Sequence, residues 1–141
     1  MAKIGSPRPH NLAAQAILLR TLFPESKVRI VRGQSLTWAG VITPSQMSDE
    51  YSVSLSYSHA ASPKVFVIQP ELQERDGRRP EHLWPDGSLC LYFPRAGEWN
   101  HGMLLAKTIL PWTSEWLLHY EIWLATGKWC GGGIHPGSKT N

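Results

Sequence analysis

Tyr51-Ser52-Val53-Ser54-Leu55-Ser56-Tyr57-Ser58 alternates large apolar side chains with serine at every step. Successive side chains of a β-strand point to opposite faces, so this stretch predicts a strand with one core face and one wet face. Strand patterns also occur at residues 28–31, 36–42 and 65–68. The segment 65–68 is apolar throughout and therefore predicts a strand that is buried on both faces. The short gaps between these four segments favour an antiparallel meander over parallel strands joined by helices.

A helix is predicted before the strands. Apolar residues recur at helical spacing from Leu12 to Phe23, after the N-cap residue Asn11 and before Pro24, which cannot continue a helix. One apolar stripe of this kind covers one face of a sheet.

A second helical region follows the strands near the C-terminus. Residues 103–110 predict a short helix ended by Pro111, and Thr113 predicts the N-cap of a longer helix that Gly127 ends. Glu115 falls in the first turn, where a carboxylate suits the helix dipole. The longer helix has a broad apolar face, interpreted as core, made by Trp116, Leu117, Tyr120, Trp123 and Leu124.

Length and composition indicate a single domain over residues 1–141, with a glycine-rich flexible tail at 131–141. An apolar share of 42% and a charged share of 18% exclude general disorder. No apolar run approaches a membrane span and the N-terminus lacks a signal core, so we expect a cytoplasmic protein without a membrane partner. The net charge of +3 includes one dense patch, Arg75, Arg78 and Arg79, which is either a solvated loop or a contact for an acidic partner or nucleic acid.

The chemistry is expected at Cys90, one of two cysteines in the chain. Pro85-Asp86-Gly87 is a strong turn signal directly before it, because proline presets one corner and glycine supplies a positive φ. Leu89 and Leu91 would anchor a short extended segment in the core and turn Cys90 to the opposite face, as a displayed nucleophile. The alternatives are a buried inert thiol at Cys90, and Cys130 as a weaker thiol candidate.

The same segment resembles a known active site. Gly87-Ser88-Leu89-Cys90-Leu91, with Trp99 nine residues beyond the cysteine, is similar to ubiquitin-conjugating enzymes, where an Asp/Asn-Gly-Ser-Ile/Leu-Cys-Leu run precedes a tryptophan at about that distance. Residues 85–92, 111–117 and 120–129 look like the bacterial branch of that family found in cyclic-oligonucleotide-based antiphage (CBASS) operons. The resemblance implies an α+β fold of N-terminal helix, four-stranded antiparallel meander, active-site loop and C-terminal helix, with a shortened C-terminus.

The resemblance also implies an activity, a thioester-forming acyl transferase. Cys90 would carry the C-terminal glycine of a ubiquitin-like protein or of a cGAS/DncV-like nucleotidyltransferase and pass it to a lysine of a target protein. If the acyl group has to be activated first, a separate activating enzyme would hydrolyse the ATP. No cofactor is expected.

Accessory residues are less well defined. The family's His-Pro-Asn triplet, whose asparagine supports the oxyanion, is absent, and His82 stands at the asparagine position. An imidazole can donate a hydrogen bond to an oxyanion or accept a proton from an amine, so His82 is either a catalytic or a structural residue. His101 and Asn100 are second choices, and Asp86 reads more as a turn residue than as a base.

Three other functions remain as alternatives. The first is a catalytically silent binding module with this fold. The second is a nucleic-acid-binding protein, which is disfavoured because aromatic and basic residues are not interleaved. The third is a zinc site from Cys90, Cys130, His82 and His135, which is disfavoured because no pair has ligand spacing, so no metal is expected.

Overall fold

Four antiparallel strands form one sheet in the order of the chain. In the computed structural model, which describes residues 8–131, they are β1 (Lys27–Val31), β2 (Ser35–Ile42), β3 (Tyr51–Ser58) and β4 (Ala61–Gln69). Trp38 of β2 pairs with Val28 of β1 and with Leu55 of β3. The predicted meander is therefore confirmed.

Within residues 8–131, the rest of the chain covers only one face of the sheet. The large residues of β3 are buried and its serines face outward, as the alternation predicted. On β4, Val65 is buried but Ile68 is 60% exposed, so the prediction of a strand buried on both faces is wrong. β4 is an edge strand, and an apolar run by itself does not show whether a second layer covers the sheet.

Helix α1 (Leu12–Leu22) packs on β1 and β2. Its N-cap is Asn11, as predicted, and the Asn11 side chain accepts a hydrogen bond from the Ala14 amide at 2.7 Å. Gln15 is buried and bridges to the other end of the chain: its Nε2 donates to the Met103 carbonyl, and its Oε1 accepts from the Leu105 amide, both at 3.0 Å. These bonds tie α1 to the segment that leads into the C-terminal helix.

Helix α2 (Ile109–Thr126) begins earlier than the sequence indicated. A 3₁₀ turn (Leu105–Lys107) precedes it, and Pro111 lies in its first turn, where a missing N–H breaks no helical bond. Thr113 is inside the helix, and its hydroxyl donates to the Ile109 carbonyl at 2.7 Å, so the predicted break at Pro111 and cap at Thr113 are wrong. Gly127 ends α2 with φ of 80°, as predicted.

The apolar face of α2 belongs to the same core as the inner face of the sheet. Trp116, Leu117, Tyr120 and Trp123 are buried, and Leu124 packs against them from a half-buried position. No helix in residues 8–131 is long and apolar enough to span a membrane. Of the tail predicted at 131–141, all but Gly131 lies outside the described residues, and the single-domain assignment for 1–141 stays a prediction.

Candidate active site around Cys90

A closed turn leads into Cys90. The Trp84 amide donates to the Ser88 carbonyl and the Gly87 amide donates to the Trp84 carbonyl, each at 2.9 Å, while Gly87 has φ of 90°. Asp86 completes the turn by accepting from the Ser88 amide and hydroxyl and from Lys64 Nζ. These partners, Lys64 first, lower the pKa of Asp86. Its contacts are those of a turn residue.

Two backbone hydrogen bonds position the cysteine. The Leu89 amide donates to the Val65 carbonyl of β4 at 2.9 Å, and the Cys90 amide donates to the His82 carbonyl at 2.7 Å. The residue is only 5% exposed, and its Sγ donates to the Tyr92 carbonyl at 3.7 Å. The expectation of a displayed thiol is therefore wrong, since Cys90 is buried.

The thiol instead lies in the wall of a cavity of about 240 Å³. Helix α2 contributes one side of this cavity through residues three and four positions apart, which share a helical face. The cavity is lined by His82, Cys90, Leu91, Tyr92, Glu98, Trp112, Glu115, Trp116, His119, Trp129 and Gly131.

The environment of the cavity disfavours the thiolate. Burial first, and then the negative charge of Glu98, raise the pKa of Cys90 to about 11. Glu98 is held in place because its Oε1 accepts a hydrogen bond from the Phe93 amide at 2.6 Å. The resting cysteine is therefore a neutral thiol at physiological pH.

His82 lies in this cavity, next to Cys90 through the backbone. Its carbonyl accepts from the Cys90 amide and from Trp116 Nε1 at 3.1 Å, and its ring centroid is 5.2 Å from that of Trp129. It is 8% exposed and has φ of 58°, a left-handed value that histidine adopts more readily than most residues. His82 is thus a buried residue of the cavity.

The other predicted candidates lie elsewhere. His101 Nδ1 is 2.8 Å from the Tyr57 hydroxyl, and the Asn100 side chain accepts from the Gly102 amide, so both serve the loop after Trp99 and neither lines the Cys90 cavity. Cys130 is exposed between two residues that do line it. Within residues 8–131 no cluster of three or more His, Cys, Asp or Glu is arranged to hold a metal ion, and His135 of the zinc alternative falls outside this range.

The sequence analysis did not identify several of the cavity residues as part of the site, among them Glu98, Glu115, His119 and Trp129. Glu115 and His119 share a helical face with Trp112 and Trp116, so the spacing of α2 contained a usable signal. No helical spacing pointed to Trp129, because it follows the end of α2 at Gly127 and lines the cavity only because of the course of the chain after that residue.

Comparison with known protein families gives a match over most of the chain. The model of the E2-CBASS family, described as Type II CBASS E2 protein, matches residues 15–136. A search of curated proteins found no match. The family match covers most of the chain and indicates a conjugation-related, E2-like role in CBASS, as the resemblance of residues 85–92, 111–117 and 120–129 implied. The helix–meander–helix fold is consistent with an E2-like protein, and the chain belongs to the family of type II CBASS E2 proteins.

Proposed function

We propose that Cys90 carries the C-terminal carboxyl group of a partner protein as a thioester and transfers it to a target amine. The observation that carries this proposal is the position of Cys90: a hydrogen-bonded turn holds its backbone, and its side chain lines a cavity. By family resemblance, the cargo is the C-terminal glycine of a cGAS/DncV-like nucleotidyltransferase or of a ubiquitin-like protein.

The lining of the cavity suits an incoming lysine. The cavity volume of about 240 Å³ is far above the roughly 10–15 Å³ that a single water molecule needs, which leaves room for the end of a lysine side chain. The carboxylates of Glu98 and Glu115 and the indoles of Trp112 and Trp129 all attract an ammonium group. This support is independent of the sequence motif.

His82 is proposed to stabilise the oxyanion during transfer. Attack on an acyl carbon places negative charge on its oxygen, and a fixed hydrogen-bond donor lowers the barrier. The His82 carbonyl accepts from the Cys90 amide, the His82 ring packs against Trp129, and both His82 and Cys90 line the same cavity, which supports this role.

The raised pKa of Cys90 affects both halves of the reaction. A thiol of pKa about 11 must lose its proton to attack an activated acyl donor. Once loaded, it is a poor leaving group, because thiols of lower pKa leave faster. The stored acyl group would consequently resist hydrolysis until an amine and a proton donor are both in place.

The alternative is a catalytically silent binding module, and the burial of Cys90 is the observation in its favour. Buried cysteines with raised pKa values are commonly inert. The two functions differ in whether a covalent adduct forms.

A covalent trapping experiment separates them. The full chain is co-expressed with the nucleotidyltransferase of its own operon, and with an activating enzyme if the operon encodes one, and analysed by denaturing, non-reducing electrophoresis. We expect an adduct that dithiothreitol removes, that Cys90→Ala abolishes, and that the matched control Cys130→Ala retains. Cys90→Ser should give an oxygen ester that resists dithiothreitol. An adduct that survives Cys90→Ala would refute Cys90 as the nucleophile, and no adduct in any combination would favour the binding module.

A further inference from the structure

The two carboxylates of the Cys90 cavity lie on its exposed side. Glu98 and Glu115 both line the cavity and are exposed, and 68% of the Glu115 side chain is accessible to solvent. Cys90, in contrast, is only 5% exposed. The cavity therefore extends from two exposed carboxylates to a buried thiol. A side chain long enough to reach the thiol leaves the groups that flank it near the carboxylates.

The charge of this cavity is opposite to that of the whole protein. The chain has 14 lysines and arginines and 11 aspartates and glutamates, which gives a net charge of +3. Among residues 8–131, however, the cavity is lined by two glutamates and by no lysine or arginine. The negative charge is thus a local property of the site and does not follow from the composition.

The two carboxylates come from different segments, and each keeps its charge available. Glu98, in the loop after Cys90, accepts a hydrogen bond from the Phe93 amide at 2.6 Å, and its charge acts on Cys90. Glu115 belongs to α2, and its Oε1 is 3.8 Å from Nε2 of His119. In the described part of the chain, neither glutamate forms a salt bridge with a lysine or an arginine.

We propose that Glu98 and Glu115 select the acceptor by the charge of its surroundings, favouring a lysine flanked by basic groups over a lysine flanked by acidic groups. This inference rests on the proposed function and deepens it, because attraction of the ammonium group alone would favour every lysine equally. The two glutamates act on the binding of the acceptor, so they determine specificity and are not catalytic residues.

The expected selectivity is modest, because the carboxylates are exposed. One exposed pair of opposite charges changes an affinity by about threefold, and salt screens the interaction over a Debye length of about 10 Å at 0.1 M. Two carboxylates together should therefore give about a tenfold preference for an acceptor with an additional positive charge over one with an additional negative charge.

The test is discharge of a preformed thioester to three small amines. Cadaverine, pentylamine and ε-aminocaproate share one aminopentyl group and differ at the other end, which is an ammonium, a methyl group or a carboxylate. Loaded full-length protein is mixed with each amine at pH 8, where an ordinary histidine is uncharged. Each rate is divided by the rate of the same amine with a small-molecule thioester, which corrects for differences in amine pKa and in the number of amines.

We expect the wild-type protein at low salt to show normalised rates about tenfold higher for cadaverine than for ε-aminocaproate, with pentylamine between them. Glu98→Gln or Glu115→Gln alone should reduce this ratio by about threefold, and the double variant should bring it close to one. Glu25→Gln removes an exposed carboxylate outside the cavity and should leave the ratio unchanged. In the wild type, about 1 M salt should lower the ratio to about twofold.

The possible outcomes separate this inference from the proposed function. Equal normalised rates for the three amines in the wild type, or a ratio that persists in the double variant, would overturn the charge selection. Uniform slowing with an unchanged ratio would show a structural role for the glutamates and would overturn it as well. If the double variant does not fold, as judged by its melting curve, the salt dependence of the wild-type ratio decides, and a ratio independent of salt contradicts the proposal. Failure of the wild type to form any thioester would instead overturn the proposed function, and this inference with it.

Discussion

The reactivity of Cys90 gives the most direct test of the structure, because it does not require a partner. With a pKa of about 11 in place of the ordinary 9.0, about one Cys90 in a thousand is a thiolate at pH 8, compared with about one in ten for an ordinary thiol. Thiolates alone react with iodoacetamide at a useful rate. Alkylation of Cys90 at pH 8 should thus be at least 100-fold slower than that of N-acetylcysteine.

The pH dependence separates the pKa from simple steric protection. Poor access lowers the rate at every pH, whereas a raised pKa moves the pH at which the rate stops increasing. The logarithm of the Cys90 alkylation rate, followed by peptide mass spectrometry, should rise with a slope of one from pH 7 to pH 10 without reaching a plateau. A plateau near pH 9 would refute the raised pKa of Cys90.

Glu98→Gln tests the second cause of the shift. The amide keeps an oxygen that can accept the Phe93 hydrogen bond but removes the negative charge. We expect the pKa of Cys90 to fall and alkylation at pH 8 to rise roughly threefold at low salt, with a smaller gain at high salt because Glu98 is exposed and screened. Burial, the larger cause, should persist. Glu25→Gln, an exposed carboxylate after α1, is the matched control; equal effects of the two variants would contradict a local role for Glu98.

Two further predictions concern stability. Gln15→Leu should lower the free energy of unfolding by about 2–4 kcal/mol in urea denaturation, because the Met103 carbonyl and the Leu105 amide both lose their partner; a change below about 0.5 kcal/mol would show that these bonds do not hold the loop. His82→Ala should lower the free energy of unfolding and also slow transfer by about 10² to 10³. His82→Asn should be more stable than His82→Ala, because asparagine tolerates a positive φ, and should regain part of the transfer rate. A wild-type transfer rate in His82→Ala would show that His82 does not take part in the reaction.

Local patterns predicted the elements well. The alternation in β3, the cap at Asn11 and the stop at Gly127 were all identified from the sequence, because each depends on neighbours within a few residues. The prediction that Pro111 ends a helix was wrong. Pro111 is compatible with both the end of one helix and the first turn of the next, and only the packing of Ile109 and Thr113 in the core shows that α2 has already begun.

The candidate site was only partly predictable. The turn motif identified Cys90, and family spacing drew attention to His82, both of which line one cavity. Asn100 and His101 were chosen because they follow Trp99 in sequence. In the fold, the loop turns away toward Tyr57, so proximity along the chain did not become proximity in space.

The sequence by itself determined the order of helix, meander and helix and the position of Cys90 directly after a turn, because periodicity and turn chemistry are properties of short segments. The tertiary structure alone decided that Cys90 is buried, that Glu98 lies close enough to disfavour its thiolate, and that His119 shares its cavity. These features arise where α2 and the segment around Trp129 pack over the turn, from contacts between residues far apart in the chain. No local pattern encodes such contacts, since they depend on how the whole core is filled.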